Sequence, residues 1–126
     1  MMTTQTQFDE ATLAQIDAQQ LVGIRAGRKP HRLLYIWMVV ADGRVFVRSW
    51  LVSPRSWYHT FKMEGVGMLY SNGREIPVLA RPIQDHATNA AVNNAYQEKY
   101  RMSREVWDMI SPRSVATTIE LLPQKA

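Results

Sequence analysis

The chain reads as mixed but mainly β: six antiparallel strands closing into a small barrel, with helices flanking it. Two pairs of apolar runs carry this reading. "RLLYIWMVV" and "RVFVRSWLV" flank Asp42-Gly43, and "VGMLYS" and "REIPVLARPI" flank Asn72-Gly73. Asp-Gly and Asn-Gly between apolar runs signal hairpins, because these residues tolerate the positive φ of a two-residue turn. The connections within each pair are also too short for the helical crossovers of a doubly wound parallel sheet.

The elements follow in order. "DEATLAQIDAQQ" (9–20) predicts a helix capped by Asp9, with Phe8, Leu13 and Ile16 as a short apolar stripe. "LVGIRAG" (21–27) predicts a first strand that ends in the turn-like "GRKPH". In the hairpin that follows, a tip at Asp42-Gly43 pairs residues whose numbers sum to 85. One face then holds Leu34, Ile36, Met38 and Val40 opposite Leu51, Ser49, Val47 and Val45. The other holds Tyr35, Trp37 and Val39 opposite Trp50, Arg48 and Phe46. Both faces are apolar, so both should be covered: the aliphatic one by the barrel interior, the aromatic one by a helix, a subunit or a ligand. "SPRSWYHTFKMEG" (53–65) predicts a short helix with Ser53 at the cap and Pro54 at its first position. In the second hairpin Pro77 cannot donate to a ladder, which predicts an edge strand or a bulge. A helix over 85–100 should have Asp85 at its cap and Ala91, Val92, Ala95 and Tyr96 on one side. A short helix over 103–110 carries Val106, Trp107 and Ile110, and "SVATTIELL" closes the chain as a strand.

A chain of 126 residues predicts a single domain spanning 1–126, an N-terminal helical segment (1–20) leading into a barrel core (21–123). Its 46% hydrophobic and 21% charged residues are ordinary globular composition. The N-terminus lacks the pattern of a secretory signal, and the apolar run "LLYIWMVVA" falls well short of the roughly 20 residues of a membrane-spanning helix. A cytoplasmic location without membrane partners is the expectation. Charge is unevenly placed. Between Ile24 and Lys62 stand eight basic residues and one acid, Asp42, whereas the remainder holds seven basic and ten acidic residues. Such a segment points to an anionic partner (phosphate, carboxylate or nucleic acid) or to a solvated surface whose counter-charges the fold supplies. No DNA- or RNA-binding motif accompanies it, so nucleic acid is not an expected partner.

Several chemistries lack their residues. There is no cysteine, and His31, His59 and His86 fall in separate segments without ligand spacing, so no metal is expected. Neither a G-x-S-x-G elbow nor a glycine-rich phosphate loop occurs. The basic turn "AGRKPHR" (26–32) is the leading anion-binding candidate. There Arg28, Lys29 and Arg32 would gather at one end of the sheet, offering guanidinium forks and an ammonium to phosphate oxygens. The same residues also suit a solvated turn. Arg48 and Ser49, at a strand end before a helix, would add donors; alternatively Arg48 lies over Trp37 as a cation–π pair. Tyr35, Trp37, Trp50, Trp57 and Tyr58 could floor a flat ring, pack internally, or meet a second subunit.

The ordered set, from "GRKPHRLLYIWMVVADGRVFVRSW" through "SWYHTF", resembles the deazaflavin-dependent nitroreductase branch of the flavin-binding split-barrel superfamily, which also includes the pyridoxamine phosphate oxidases. The later "AYQEKYRMSREVWDMISPRSVATTIELLP" is similar to a group of small bacterial split-barrel proteins, and together the likeness covers roughly residues 20–123. The resemblance implies a split β-barrel homodimer holding FMN or a deazaflavin in clefts near the subunit boundary. It further implies an oxidoreductase acting on a small organic substrate. By position, Arg28, Lys29 and Arg32 match the turn that handles the cofactor's anionic tail. Ser49 matches the strand-end position near the phosphate, and Trp57 lies on the adjoining helix; Arg48 joins them on charge alone. The nitroreductase branch follows its serine with a basic, glycine-rich loop, where this chain reads "WLVSP". No catalytic acid is matched; in flavin chemistry the cofactor performs the hard step while the protein positions it. Tyr96 and Tyr100 would serve as substrate-side donors or as helix packing. The alternative is a non-redox split-barrel protein that binds another small anion or has a structural role.

Overall fold

Trp37 divides what the sequence presents as one long strand. In the computed structural model, which describes residues 7–50 and 56–124, the chain before it pairs one way and the chain after it another. The elements are α1 (Glu10–Ala18), β1 (Val22–Ala26), β2 (Leu34–Ile36), β3 (Met38–Ala41), β4 (Arg44–Val47), α2 (Trp57–Glu64), β5 (Val66–Ser71), β6 (Arg74–Pro82), α3 (His86–Lys99), α4 (Val106–Met109), α5 (Pro112–Val115) and β7 (Ile119–Pro123). They form a seven-stranded sheet in the order β2-β1-β5-β6-β7-β4-β3, with every neighbouring pair antiparallel.

Strands β2 and β3 occupy opposite edges of this sheet, yet Trp37 alone separates them in the chain. A flat sheet cannot satisfy that, because one residue spans at most about 3.6 Å. The sheet therefore curls on itself into a nearly closed barrel, and Trp37 is the corner. Its ring lies flat on Tyr100, with centroids 4.0 Å apart. The Tyr100 hydroxyl accepts from the Met38 N–H at 3.1 Å and donates to the Gln20 carbonyl at 2.8 Å. The expected six strands become seven at this corner.

Both hairpins form as predicted. Met38 faces Val47 and Ala41 faces Arg44, the predicted register, and Asp42 (φ 54°) and Gly43 (φ 72°) make the tight tip. Asn72 (φ 52°) and Gly73 (φ 77°) repeat it between β5 and β6. The predicted ladder does not extend to Arg48, Ser49 and Trp50: β4 ends at Val47, and β2 has left to pair with β1. Met38, Val45 and Val47 face the barrel interior with Ile24, Leu69, Val78, Ile119 and Leu121. Val39 and Phe46 face outward, and α3 covers them with Val92, Tyr96 and Tyr100. Burial of each such side chain stabilises the fold by about 1.5–3 kcal/mol.

Helices α1 and α2 add side chains to the same interior. Asp9 caps α1 by accepting from the Thr12 N–H at 2.8 Å, and Ile16 enters the core. Lys99 ties this helix to the barrel corner, donating to the carbonyls of Ile16 and Met38 at 2.9 and 2.7 Å. Helix α2 sends in Phe61 and ends at Gly65 (φ 72°), whose N–H returns to the Phe61 carbonyl.

Three expectations need correction. The cap of α2 is Ser56, accepting from the His59 N–H at 3.2 Å; Ser53 and Pro54 lie outside the described residues. Strand β6 lies between β5 and β7 rather than at an edge. Pro77 is tolerated there because it sits at the end of the β6–β7 ladder, which runs from Val78 onward, and contributes only its carbonyl, which accepts from the Gln124 N–H at 2.9 Å. The last strand begins at Ile119: residues 112–115 form a helical turn, and the hydroxyls of Thr117 and Thr118 bond back to the carbonyls of Ser114 and Val115. Trp107 falls in the short helix α4, where it is 66% exposed.

Candidate functional site

The basic turn after β1 is wedged against α2 and β5. Gly27 takes φ 88°, and its N–H bonds the Val66 carbonyl at 2.8 Å. A Cβ on Gly27 would stand 2.7 Å from the Thr60 methyl, so glycine is needed for both the dihedral and the space. The Glu64 carboxylate accepts from the Arg28 N–H at 2.9 Å, fixing the next residue. On β5, Gly67 lets β1 approach closely, since a Cβ there would lie 2.6 Å from the Arg25 carbonyl.

The turn walls an open cleft of about 420 Å³ on the outer face of β1, β5 and β6. Arg25, Arg28 and Lys29 supply its positive charge, while Val66, Met68 and Pro77 supply apolar surface. The strand register explains this grouping. Arg25 pairs with Met68, Met68 with Pro77, and Val66 alternates with Met68 along β5, so all four side chains share one face. Arg28 and Lys29 are exposed, and neither has an ion-pair partner among the described residues. Arg25 contacts Glu75 at 2.9 Å. The cleft can offer guanidinium and ammonium donors to an anion beside an apolar floor.

The other residues singled out in the sequence lie elsewhere. Arg32 is exposed and is not among the residues lining the cleft. Arg48 is 1% exposed and makes five hydrogen bonds, all to neutral oxygens: Thr118 Oγ1, Asn93 Oδ1, the Met109 carbonyl, and the carbonyl and Oδ1 of Asn89. Burial pulls its pKa down to about 10, opposed by Tyr96, whose ring centre lies 5.6 Å from the guanidinium. The aromatic partner of Arg48 is thus Tyr96, and the expected pair with Trp37 does not form. Burial also raises the Tyr96 phenol far above its usual range, with Arg48 opposing. Ser49 is 3% exposed; its N–H donates to Thr117 Oγ1 at 2.8 Å and its carbonyl accepts from Ser114 Oγ at 3.0 Å. Trp57 packs against the barrel core and meets Phe61 edge-on at 6.1 Å. The structure therefore joins Arg28 to Lys29 in the cleft and Arg48 to a separate interior network beside Ser49. The "LVSP" part of the departure from the nitroreductase pattern lies outside the described residues, while Trp50 is 53% exposed.

Arg25 was missed as a site residue. Its signal was a lone charge in "LVGIRAG", which becomes informative once β1 is known to be buried at every position but Arg25. Glu120 was missed too: it is 1% exposed and bonded to Arg44 and Arg81, partners 76 and 39 residues away. Among the described residues no three His, Asp or Glu side chains gather to hold a metal, and no helix is long and apolar enough to cross a membrane.

Residues 12–121 match the family described as "Uncharacterized protein conserved in bacteria (DUF2255)", and the chain belongs to that family. The fold is similar to the crystal structure of conserved hypothetical protein Rv2991 from Mycobacterium tuberculosis, with a TM-score of 0.59 at 13% identity over 98% of this chain and 84% of that one. At that identity the likeness shows the fold alone. No curated protein matches the sequence.

Proposed function

We propose that this DUF2255 protein binds a small organic anion with a flat apolar body in the cleft behind the basic turn, and that a flavin nucleotide (FMN or a deazaflavin) is that ligand. The observation that carries the reading is the pairing of Arg28 and Lys29, free of ion pairs among the described residues, with the floor of Val66, Met68 and Pro77. In this reading Arg28 and Lys29 hold the anionic tail, with Arg32 adding to the local positive potential. Met68 and Pro77 contact the ring system. A bound flavin would supply hydride or electron transfer to a small organic substrate, making the protein an oxidoreductase. The chain's own part is to orient the ring and neutralise the tail.

A homodimer belongs to the same reading. Val66, Met68, Tyr70, Pro77 and Leu79 lie along the outer side of β5 and β6, where Pro77 and Leu79 are exposed and the other three are only partly buried. The equivalent outer side of β3 and β4 is covered by α3. A second copy on the open face would set the cleft beside the subunit boundary.

One observation favours a non-redox protein that holds another small anion. Ser49 and Trp57, which the flavin-site resemblance would recruit, and Arg48, added to them on charge, are taken up by interior contacts. Absorbance of the purified protein, then titration of FMN and of a reduced deazaflavin by fluorescence, separates the two. The flavin reading expects quenching that saturates, and about tenfold weaker binding for Arg28→Ala. A colourless protein that leaves both fluorescence signals unchanged defeats it.

A further inference from the structure

Arg25 stands in the cleft between the turn cations and the apolar floor, yet it differs from Arg28 and Lys29 in having a counter-ion. Its Nη2 donates to Glu75 Oε2 at 2.9 Å. Among the described residues, its Nε and Nη1 have no partner. The register brings the pair together: Arg25 lies opposite Met68 and Glu75 opposite Tyr70, on the same face of the sheet and two positions apart along β5. The contact is open to water, with 25% of the arginine side chain and 52% of the glutamate exposed. An exposed, monodentate ion pair is worth about 0–1 kcal/mol, whereas a guanidinium bound to a phosphate gains shorter, charge-assisted and often paired hydrogen bonds. A pair that weak, placed in the wall of a basic cleft, is exchangeable.

We propose that Arg25 is a third cationic ligand of the cleft and that Glu75 is its resting counter-ion, displaced when an anion enters. This rests on the reading of the cleft as an anion site and extends it to a selection rule. Glu75 sets a threshold that favours multiply charged phosphates, which gain more from a third cation, over monoanions, which gain less.

The test is titration of inorganic pyrophosphate at low ionic strength, by calorimetry, into the full chain and four variants. Glu75→Gln should bind roughly fivefold tighter, the equivalent of removing a weak competing pair. Arg25→Gln should bind at least about tenfold weaker. The double variant should match Arg25→Gln, because Glu75 then has no guanidinium to withhold. Glu98→Gln removes the same charge at a position that does not line the cleft, and should leave affinity unchanged. Unchanged binding in Glu75→Gln, an equal gain in Glu98→Gln, or a gain from Glu75→Gln that persists without Arg25 would each overturn the proposal. Failure of pyrophosphate to bind any variant overturns it together with the anion site. FMN and riboflavin, titrated in parallel, separate the two ideas. If Glu75→Gln tightens pyrophosphate while neither flavin binds, the counter-ion role stands and the flavin reading falls. If FMN binds wild type and Glu75→Gln equally, the flavin reading stands and the counter-ion role falls.

Discussion

Glu120 illustrates how a single residue can depend on the whole chain. Its carboxylate lies between two strands' arginines: Nε and Nη2 of Arg44 donate at 3.0 and 2.9 Å, and Nη2 of Arg81 at 2.6 Å. Burial pushes its pKa up, but the bonds from both arginines outweigh burial and leave it below its ordinary value. A depressed folded pKa means the unfolded chain takes up protons first on acidification. The stabilisation is therefore complete above the unfolded value of 4.5 and fades as pH falls through the folded value. Glu120→Gln should cost about 2 kcal/mol at pH 7, less than a fully buried pair would, because the Arg81 side chain is 58% exposed. Urea unfolding at pH 7 and pH 4 reads this directly: the gap between wild type and variant should shrink in acid, and a constant gap would refute the role. Arg48 is the opposite case. Among the described residues its charge is held by neutral oxygens, and those oxygens come from α3, α4 and the segment before β7.

At the scale of elements, the turn between β1 and β2 positions the cleft. Gly27 permits it twice over, by its positive φ and by leaving room for Thr60 of α2. Gly73 also has a positive φ but has no atom within 4 Å of an added Cβ. Comparing the two isolates the steric part. Gly73→Ala should cost only the backbone preference, about 1 kcal/mol, and Gly27→Ala clearly more, about 2 kcal/mol, as α2 is pushed away. Thermal melts of the two variants check the difference. Equal losses would mean that Thr60 gives way freely and that the turn is not clamped by the helix.

At the scale of the molecule, the barrel has two unlike outer faces. One lies under α3. The other, on β1, β5 and β6, carries apolar side chains together with both members of the Arg25–Glu75 pair. A patch that holds both charges can be complementary to itself across a two-fold axis. If two copies meet there, Leu79→Glu, at a side chain already 41% exposed, should leave monomer stability within about 0.5 kcal/mol and convert dimer to monomer. Light scattering across a concentration series tests this, and an unchanged mass in the variant would remove the face from consideration.

The hairpins, their register and their tips were legible because the signals are local. Asp42-Gly43 and Asn72-Gly73 select their turns within two residues, and period-two burial shows along β5. The caps at Asp9 and Asp85 were legible for the same reason, each closing on an N–H three residues ahead. The Arg28-Lys29 end of the site was visible as clustered charge, but Arg25 was not, since its neighbours in the cleft are 41 to 52 positions away on β5 and β6. The corner at Trp37 needed Tyr100, and the depth of Arg48 needed the acceptors of α3 and α4. Both are contacts across more than 40 residues. Spacing along a chain reports turns, caps and alternation. Which edge a strand joins, and whether an arginine faces a ligand or the interior, is settled by the closure of the barrel, which brings distant acceptors and aromatic faces to those residues.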